Sequence, residues 1–146
     1  MRVNRKAFLA VLGVLLLSAC GGSDATGVNG DASGTYTLRT FGGQSLPYTP
    51  AGQNPADFFT FNGGSVTINT NATFSETIMY SETTPGQIIN TTSTCLGTYS
   101  RAGSTISFSE PAAANPDCGG DFAATWDGGN TLTLSIGVGV DAVFTK

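Results

Sequence analysis

The sequence predicts an all-β protein: a small eight-stranded antiparallel up-and-down barrel that follows an N-terminal signal peptide. Three observations predict it. From residue 34 onward, apolar and polar residues alternate with a period of two, as in strands with one buried face. Turn residues, chiefly Gly, Pro and Asn, interrupt the alternation at short intervals, so that successive strands connect as hairpins. The composition agrees, since 20 of 146 residues are Gly, 21 Thr and 13 Ser, while only 11% are charged. Such a chain lacks the charged faces of surface helices and has the Thr-rich surface of solvated strands.

The elements follow in order along the chain. Thr35 to Phe41 begins the series, with Tyr36 and Leu38 on one face, and Gly42-Gly43 turns it. Pro47, Pro50 and Pro55 mark an irregular connection, because proline removes a ladder donor. Asn62-Gly63-Gly64 reads as a turn before Ser65 to Asn69, where Val66 and Ile68 point inward. Thr73 to Thr83 places Phe74, Ile78 and Tyr80 on one face and Ser75, Thr77 and Ser81 on the other. Pro85-Gly86 turns the chain into a strand that runs through Cys95 to Ser100, with Tyr99 inward. After Arg101 to Ser104, Thr105 to Glu110 directs Ile106 and Phe108 inward. Asp121 to Trp126 follows a Pro- and Ala-rich loop and contributes Phe122 and Trp126. Asp127-Gly-Gly-Asn130 is a strong hairpin signal. Thr131 to Ile136 and Val138 to Thr145 then close the chain with Leu132, Leu134, Val140 and Phe144 inward. Sequential hairpins without crossovers make a meander, and closing it removes the exposed edges. The outward alternates are Thr and Ser rather than apolar, so the outer surface is that of a soluble barrel.

The first nineteen residues have a different character. Arg2, Arg5 and Lys6 precede Ala7 to Leu17, a run without charge. Eleven residues span about 16 Å as a helix, well short of a bilayer core of about 30 Å. A basic flank and an apolar run of this length form a secretory signal peptide. Its end, Leu17-Ser18-Ala19-Cys20, resembles the lipobox of bacterial lipoproteins. The resemblance implies cleavage before Cys20, diacylation of its sulfur by palmitate-type chains, and in many Gram-negative bacteria a third chain on its amine. Gly21 after the cysteine implies release to the outer membrane. Two or more acyl chains anchor a protein stably, whereas one does not. The expected organisation is a signal peptide over 1–19, a flexible Gly-rich tether over 20–33 and a barrel domain over 34–146.

The barrel segment also resembles a family. Gly34-Thr-Tyr-Thr-Leu-Arg-Thr-Phe-Gly-Gly-Gln-Ser-Leu-Pro47 is similar to the opening strand and G-x-x-L-P turn of small bacterial lipocalin-like domains. Gly97 to Phe108 and Asn130 to Lys146 resemble their internal and terminal strands. The resemblance implies the barrel fold and a lipoprotein setting rather than a particular activity. The chain departs from the larger lipocalins in its short strands and lack of a C-terminal helix.

Charge and cysteine counts follow from this organisation. The whole chain carries −4, but beyond residue 19 only Arg39, Arg101 and Lys146 face all ten acidic residues, a balance of −7. Such a chain has no electrostatic footprint for nucleic acid. With Cys20 taken by lipid, Cys95 and Cys118 remain as an even pair in an oxidising compartment, which predicts a disulfide. The chain has no His. It therefore lacks the commonest general base and metal ligand, and no GxSxG, HExxH or Walker pattern occurs. Asp117 and Asp121 are close in sequence, but their segment is more simply a Gly-rich loop pinned by the disulfide. The expectation is a non-enzyme without cofactor or metal.

Two function classes remain. A small apolar ligand could enter a barrel lined by Tyr36, Phe74, Glu76, Tyr80, Tyr99, Phe108 and Trp126, with tyrosine hydroxyls as polar tips. Glu76 shares the parity of Phe74 and Ile78, and three readings stay open for it: a solvated mouth, a bulge that turns it outward, or an anchor for a ligand amine or hydroxyl. Alternatively the interior is filled by its own side chains, and the loops at 42–57 and 111–120 present themselves to an envelope protein.

Overall fold

The computed structural model describes residues 30–111, 118, 120–136 and 140–146. The signal segment, Cys20, most of the tether and most of the 111–120 loop lie outside these residues. Nine strands follow in chain order: β1 (Gly34–Phe41), β2 (Gln44–Ser45), β3 (Phe58–Ile68), β4 (Thr73–Thr84), β5 (Gln87–Ala102), β6 (Thr105–Glu110), β7 (Gly120–Trp126), β8 (Thr131–Ser135) and β9 (Asp141–Thr145). The sheet order is β2-β1-β3-β4-β5-β6-β7-β8-β9, and β9 returns to pair with β1. Every pairing is antiparallel. Eight strands therefore close a barrel, with β2 as a short extra strand on β1, and no helix occurs among the described residues. This is the predicted meander.

The turns after β3, β5 and β7 lie at one end of the barrel, here the lower end, and the connections after β1, β4, β6 and β8 lie at the upper end. The lower half is filled. Tyr36, Val66, Ile68, Phe74, Ile106, Phe108, Trp126, Leu132 and Phe144 are all less than 2% exposed. Their buried polar tips have partners, as buried donors require. The Tyr36 hydroxyl donates to the Ala32 carbonyl at 2.8 Å, and Trp126 Nε1 donates to the Gly129 carbonyl at 3.0 Å. Gly30–Ser33, expected as the end of a free tether, instead cross the lower end with Ala32 buried. Arg101 fixes them there. Its Nη1 donates to the Gly30 carbonyl at 2.8 Å, while its guanidinium lies 5.0 Å from the Trp126 ring centre. At the same end Asp127 Oδ1 accepts from the amides of Gly129 and Thr131, closing the hairpin that its sequence announces. These bonds hold its carboxyl below the ordinary range.

Two β-bulges change the side-chain parity. In the pairing with β9, Leu38 stands opposite Phe144 and Thr40 opposite Val143, leaving Arg39 as the extra residue. Phe41 therefore turns inward and is buried, although simple alternation from Leu38 would send it outward. In β3, Asn62 is the extra residue between the pairs Phe61–Tyr80 and Gly63–Met79.

The second bulge corrects the expected turn at Asn62-Gly63-Gly64, since β3 runs straight through it. The glycines serve close packing there. A Cβ on Gly64 would lie 2.7 Å from the Thr77 carbonyl oxygen, and one on Gly63 2.8 Å from Met79 Cε. β5 begins at Gln87, directly after the expected Pro85-Gly86 turn. Consequently β3, β4 and β5 have 11, 12 and 16 residues, whereas the other barrel strands have 5 to 8. Their upper parts stand above the rest as a three-stranded wing. The disulfide joins Cys95 on β5 to Cys118 with a Cα–Cα distance of 5.6 Å.

Candidate functional site

The inner face changes character above Phe74. Next along β4 come Glu76, Ile78 and Tyr80, all half-buried rather than sealed. Beside them runs a continuous series of aromatic rings. Tyr48 stacks on Phe41 at 5.5 Å between centroids, and Phe41 on Phe61 at 4.2 Å. Phe61 meets Phe59 edge-on at 4.8 Å, and Phe59 meets Tyr80 at 4.6 Å. Of these five rings only Phe41 is buried. The others form a partly open aromatic wall at the upper mouth.

The irregular connection 42–57 holds that wall in place. Tyr48 exchanges both backbone hydrogen bonds with Phe61, each 2.8 Å long, so that one residue extends the sheet past β2. Gln53 does the same for Phe59 with its side chain. Its Oε1 accepts from the Phe59 amide at 2.6 Å, and its Nε2 donates to the carbonyls of Phe59 and Pro50 at 3.0 Å each. A side-chain amide here replaces a missing strand partner and satisfies both backbone groups of Phe59. The Leu46-Pro47 peptide within this connection is cis.

Below the wall are the carboxylates. Glu76 pairs in register with Val66 on β3 and Cys95 on β5, and faces inward. Burial pushes its carboxyl up to about 7, and the neighbouring Glu110 carboxylate on β6 pushes in the same direction. A Glu110 carboxylate oxygen and the sulfurs of Cys95 and Cys118 all lie within 4.8 Å of one another. Since both sulfurs are used in the disulfide, they are not thiolate donors, and the group is carboxylates beside a sulfur bridge. The inward pointing of Glu76 removes the reading in which a bulge turns it outward.

The seven candidate lining residues thus divide. Tyr36, Phe74, Phe108 and Trp126 belong to the sealed lower core, where Phe74 and Phe108 meet edge-on at 4.7 Å. Tyr99 lies at the lower rim, and its hydroxyl donates to the Asn69 carbonyl at 2.9 Å. Only Glu76 and Tyr80 stand at the upper mouth. Sequence reading missed their neighbours Tyr48, Phe59 and Phe61, because these sit in or before the stretch taken for a loop and turn. The signal available was the apolar run Phe58-Phe59-Thr60-Phe61. Asp121 is exposed on β7, and its proposed partner Asp117 lies outside the described residues.

No family model, curated protein or solved structure matches the chain.

Proposed function

We propose that the protein is a non-catalytic binding module of the bacterial cell envelope, anchored through lipid on Cys20, which takes a small apolar molecule at its upper mouth. One observation carries the binding reading: half-buried aromatic rings in contact with one another line an inner face directly above a sealed core. Such a wall offers apolar area with a few polar tips, the usual make-up of a small-ligand site. The Tyr80 hydroxyl and the Glu76 carboxyl supply the tips, and Glu76 anchors a ligand amine or hydroxyl.

The lipoprotein reading rests on Leu17-Ser18-Ala19-Cys20, and the path of the chain is compatible with it. Gly30 lies against Trp126 at the lower end. A lipid anchor upstream would then leave the mouth facing away from the membrane, most simply the outer membrane of a Gram-negative cell.

The test uses the full chain in mild detergent with N-phenyl-1-naphthylamine as an apolar fluorescent probe. Saturable probe fluorescence that falls at least about fivefold in affinity in Phe61→Ala and Tyr80→Ala supports the site. Unchanged binding in both variants overturns it. Glu76→Gln with unchanged affinity for an amine-bearing probe removes the anchor role alone. Mass spectrometry of native material checks the expected acyl mass on Cys20, and an unmodified cysteine there refutes the anchor.

A further inference from the structure

The longest strand edge that the described residues leave without a ladder partner belongs to β5. β5 is paired along its whole length with β4, from Gln87–Thr84 to Thr98–Thr73. On its other side, pairing with β6 begins only at Thr98 and continues to Ala102. Cys95 is tied to Cys118 in the interval, but from Gln87 to Thr92 no described residue pairs with the outer edge. An unpaired edge of this length is the feature that soluble β-proteins usually shield with charge, proline or a bulge. None of these is present. The ladder with β4 is regular there, Pro85 lies in the turn, and residues 83–100 contain no Asp, Glu, Lys or Arg.

Apolar exposure is concentrated in the same place. Four of the five exposed large apolar residues among those described, Met79, Ile88, Ile89 and Leu96, lie on β4 and β5. Ile88 is 66% exposed, and Met79 on β4 stands opposite Thr92. Among the described residues the Gln87–Thr92 edge thus has backbone donors and acceptors without a ladder partner, set between apolar side chains.

We infer that this edge pairs with the same edge of a second copy, β5 to β5 in antiparallel orientation, to form a two-fold dimer. Three observations select this occupant. Unpaired strand backbone is satisfied by another strand, and antiparallel pairing of one strand with itself is self-complementary about a two-fold axis. The neutral edge is a place where two strongly acidic chains can meet without bringing like charges together. The six positions from Gln87 to Thr92 are one more than the five pairs that join β5 to β6, long enough for a ladder of that kind. Among the described residues this is the longest such edge, and pairing it about a two-fold axis uses it up in both copies. The inference does not depend on the ligand or anchor readings above.

Sedimentation velocity of the full chain in mild detergent, over about 1–200 μM, tests the dimer. The expected result is a concentration-dependent rise from one chain to two. The variant Ile88→Lys/Thr92→Lys changes two exposed edge residues without touching the core, and should weaken association at least tenfold. Circular dichroism and an intact disulfide check its fold. Amide exchange at residues 88–92 should slow as wild-type concentration rises. One-chain mass at all concentrations overturns the inference, and so does a dimer that the two lysines leave unchanged.

Discussion

Glu76 on β4 is the register partner of Cys95 on β5, so an inward carboxyl lies beside the disulfide at the floor of the mouth. The groups around it do not favour ionisation. Val66 faces it from β3 and the Cys95 sulfur from β5, and burial together with the Glu110 carboxylate from β6 opposes its charge.

This arrangement makes stability depend on pH in a definite direction. The Glu76 pKa rises from an ordinary 4.5 to about 7 on folding. Below pH 4.5 the group is protonated in both states and adds nothing. Between 4.5 and 7 the unfolded chain loses the proton first, so folding becomes less favourable as pH rises, by about 3 kcal/mol in all. Glu76→Gln should match wild type in urea unfolding near pH 4 and exceed it at pH 8 by about that amount. An equal gap at both pH values would show that the carboxyl is not held neutral by its surroundings.

The disulfide should contribute mainly through the unfolded chain. A cross-link over a sequence separation of 23 residues constrains a loop worth roughly 3 kcal/mol in the chain-entropy account. Cys95→Ala/Cys118→Ala should therefore melt on the order of 10–20 °C lower than wild type. Chemical reduction of the wild type should give the same shift, and a shift below about 3 °C would show that the cross-link hardly constrains the unfolded chain.

The lower core was legible from alternation alone, because β4, β6, β8 and the first half of β1 keep strict parity. Tyr36, Phe74, Phe108, Leu132 and Phe144 follow from counting by twos. The mouth was not legible in that way. Arg39 and Asn62 each insert one residue into the ladder, which reverses the faces beyond them and brings in Phe41 and Phe61. Glycines at 63 and 64 resemble a turn in sequence, yet their function is to admit Met79 and the Thr77 backbone. Ile88-Ile89 lacks alternation because this part of the wing has no core against which to sort its two faces.

Gln53 holds Phe59 in the wall of the mouth through both of the backbone groups of that residue. Truncation to Ala leaves the Phe59 amide and carbonyl without their partner, at a cost of about 1–2 kcal/mol if water does not replace it. Amide exchange at Phe59 should accelerate strongly, while exchange in β6 to β8 stays unchanged. Protection of Phe59 at the wild-type level would show that another group positions the wall.

Gly97 offers the sharpest test of packing, because its neighbours cannot withdraw. It stands opposite Phe74 in register, and a Cβ there would lie 2.6 Å from Phe74 Cε1 and nearer still to the Ser109 carbonyl oxygen. The oxygen belongs to the β6 backbone, and the ring is held by Phe108 and Phe122 at 4.7 and 5.8 Å. Gly97→Ala must therefore push β5 and β6 apart or shift the aromatic core, at about 2–4 kcal/mol. Phe74→Leu in the same chain should relieve the ring clash but not the clash with the carbonyl, so rescue would be incomplete. Gly86→Ala is the control. It has open space around its Cβ position but a φ of +84°, so its cost is confined to about 1–2 kcal/mol of backbone strain. If chemical denaturation ranked Gly97→Ala as the milder change, the close contact between β5, Phe74 and Ser109 would be wrong.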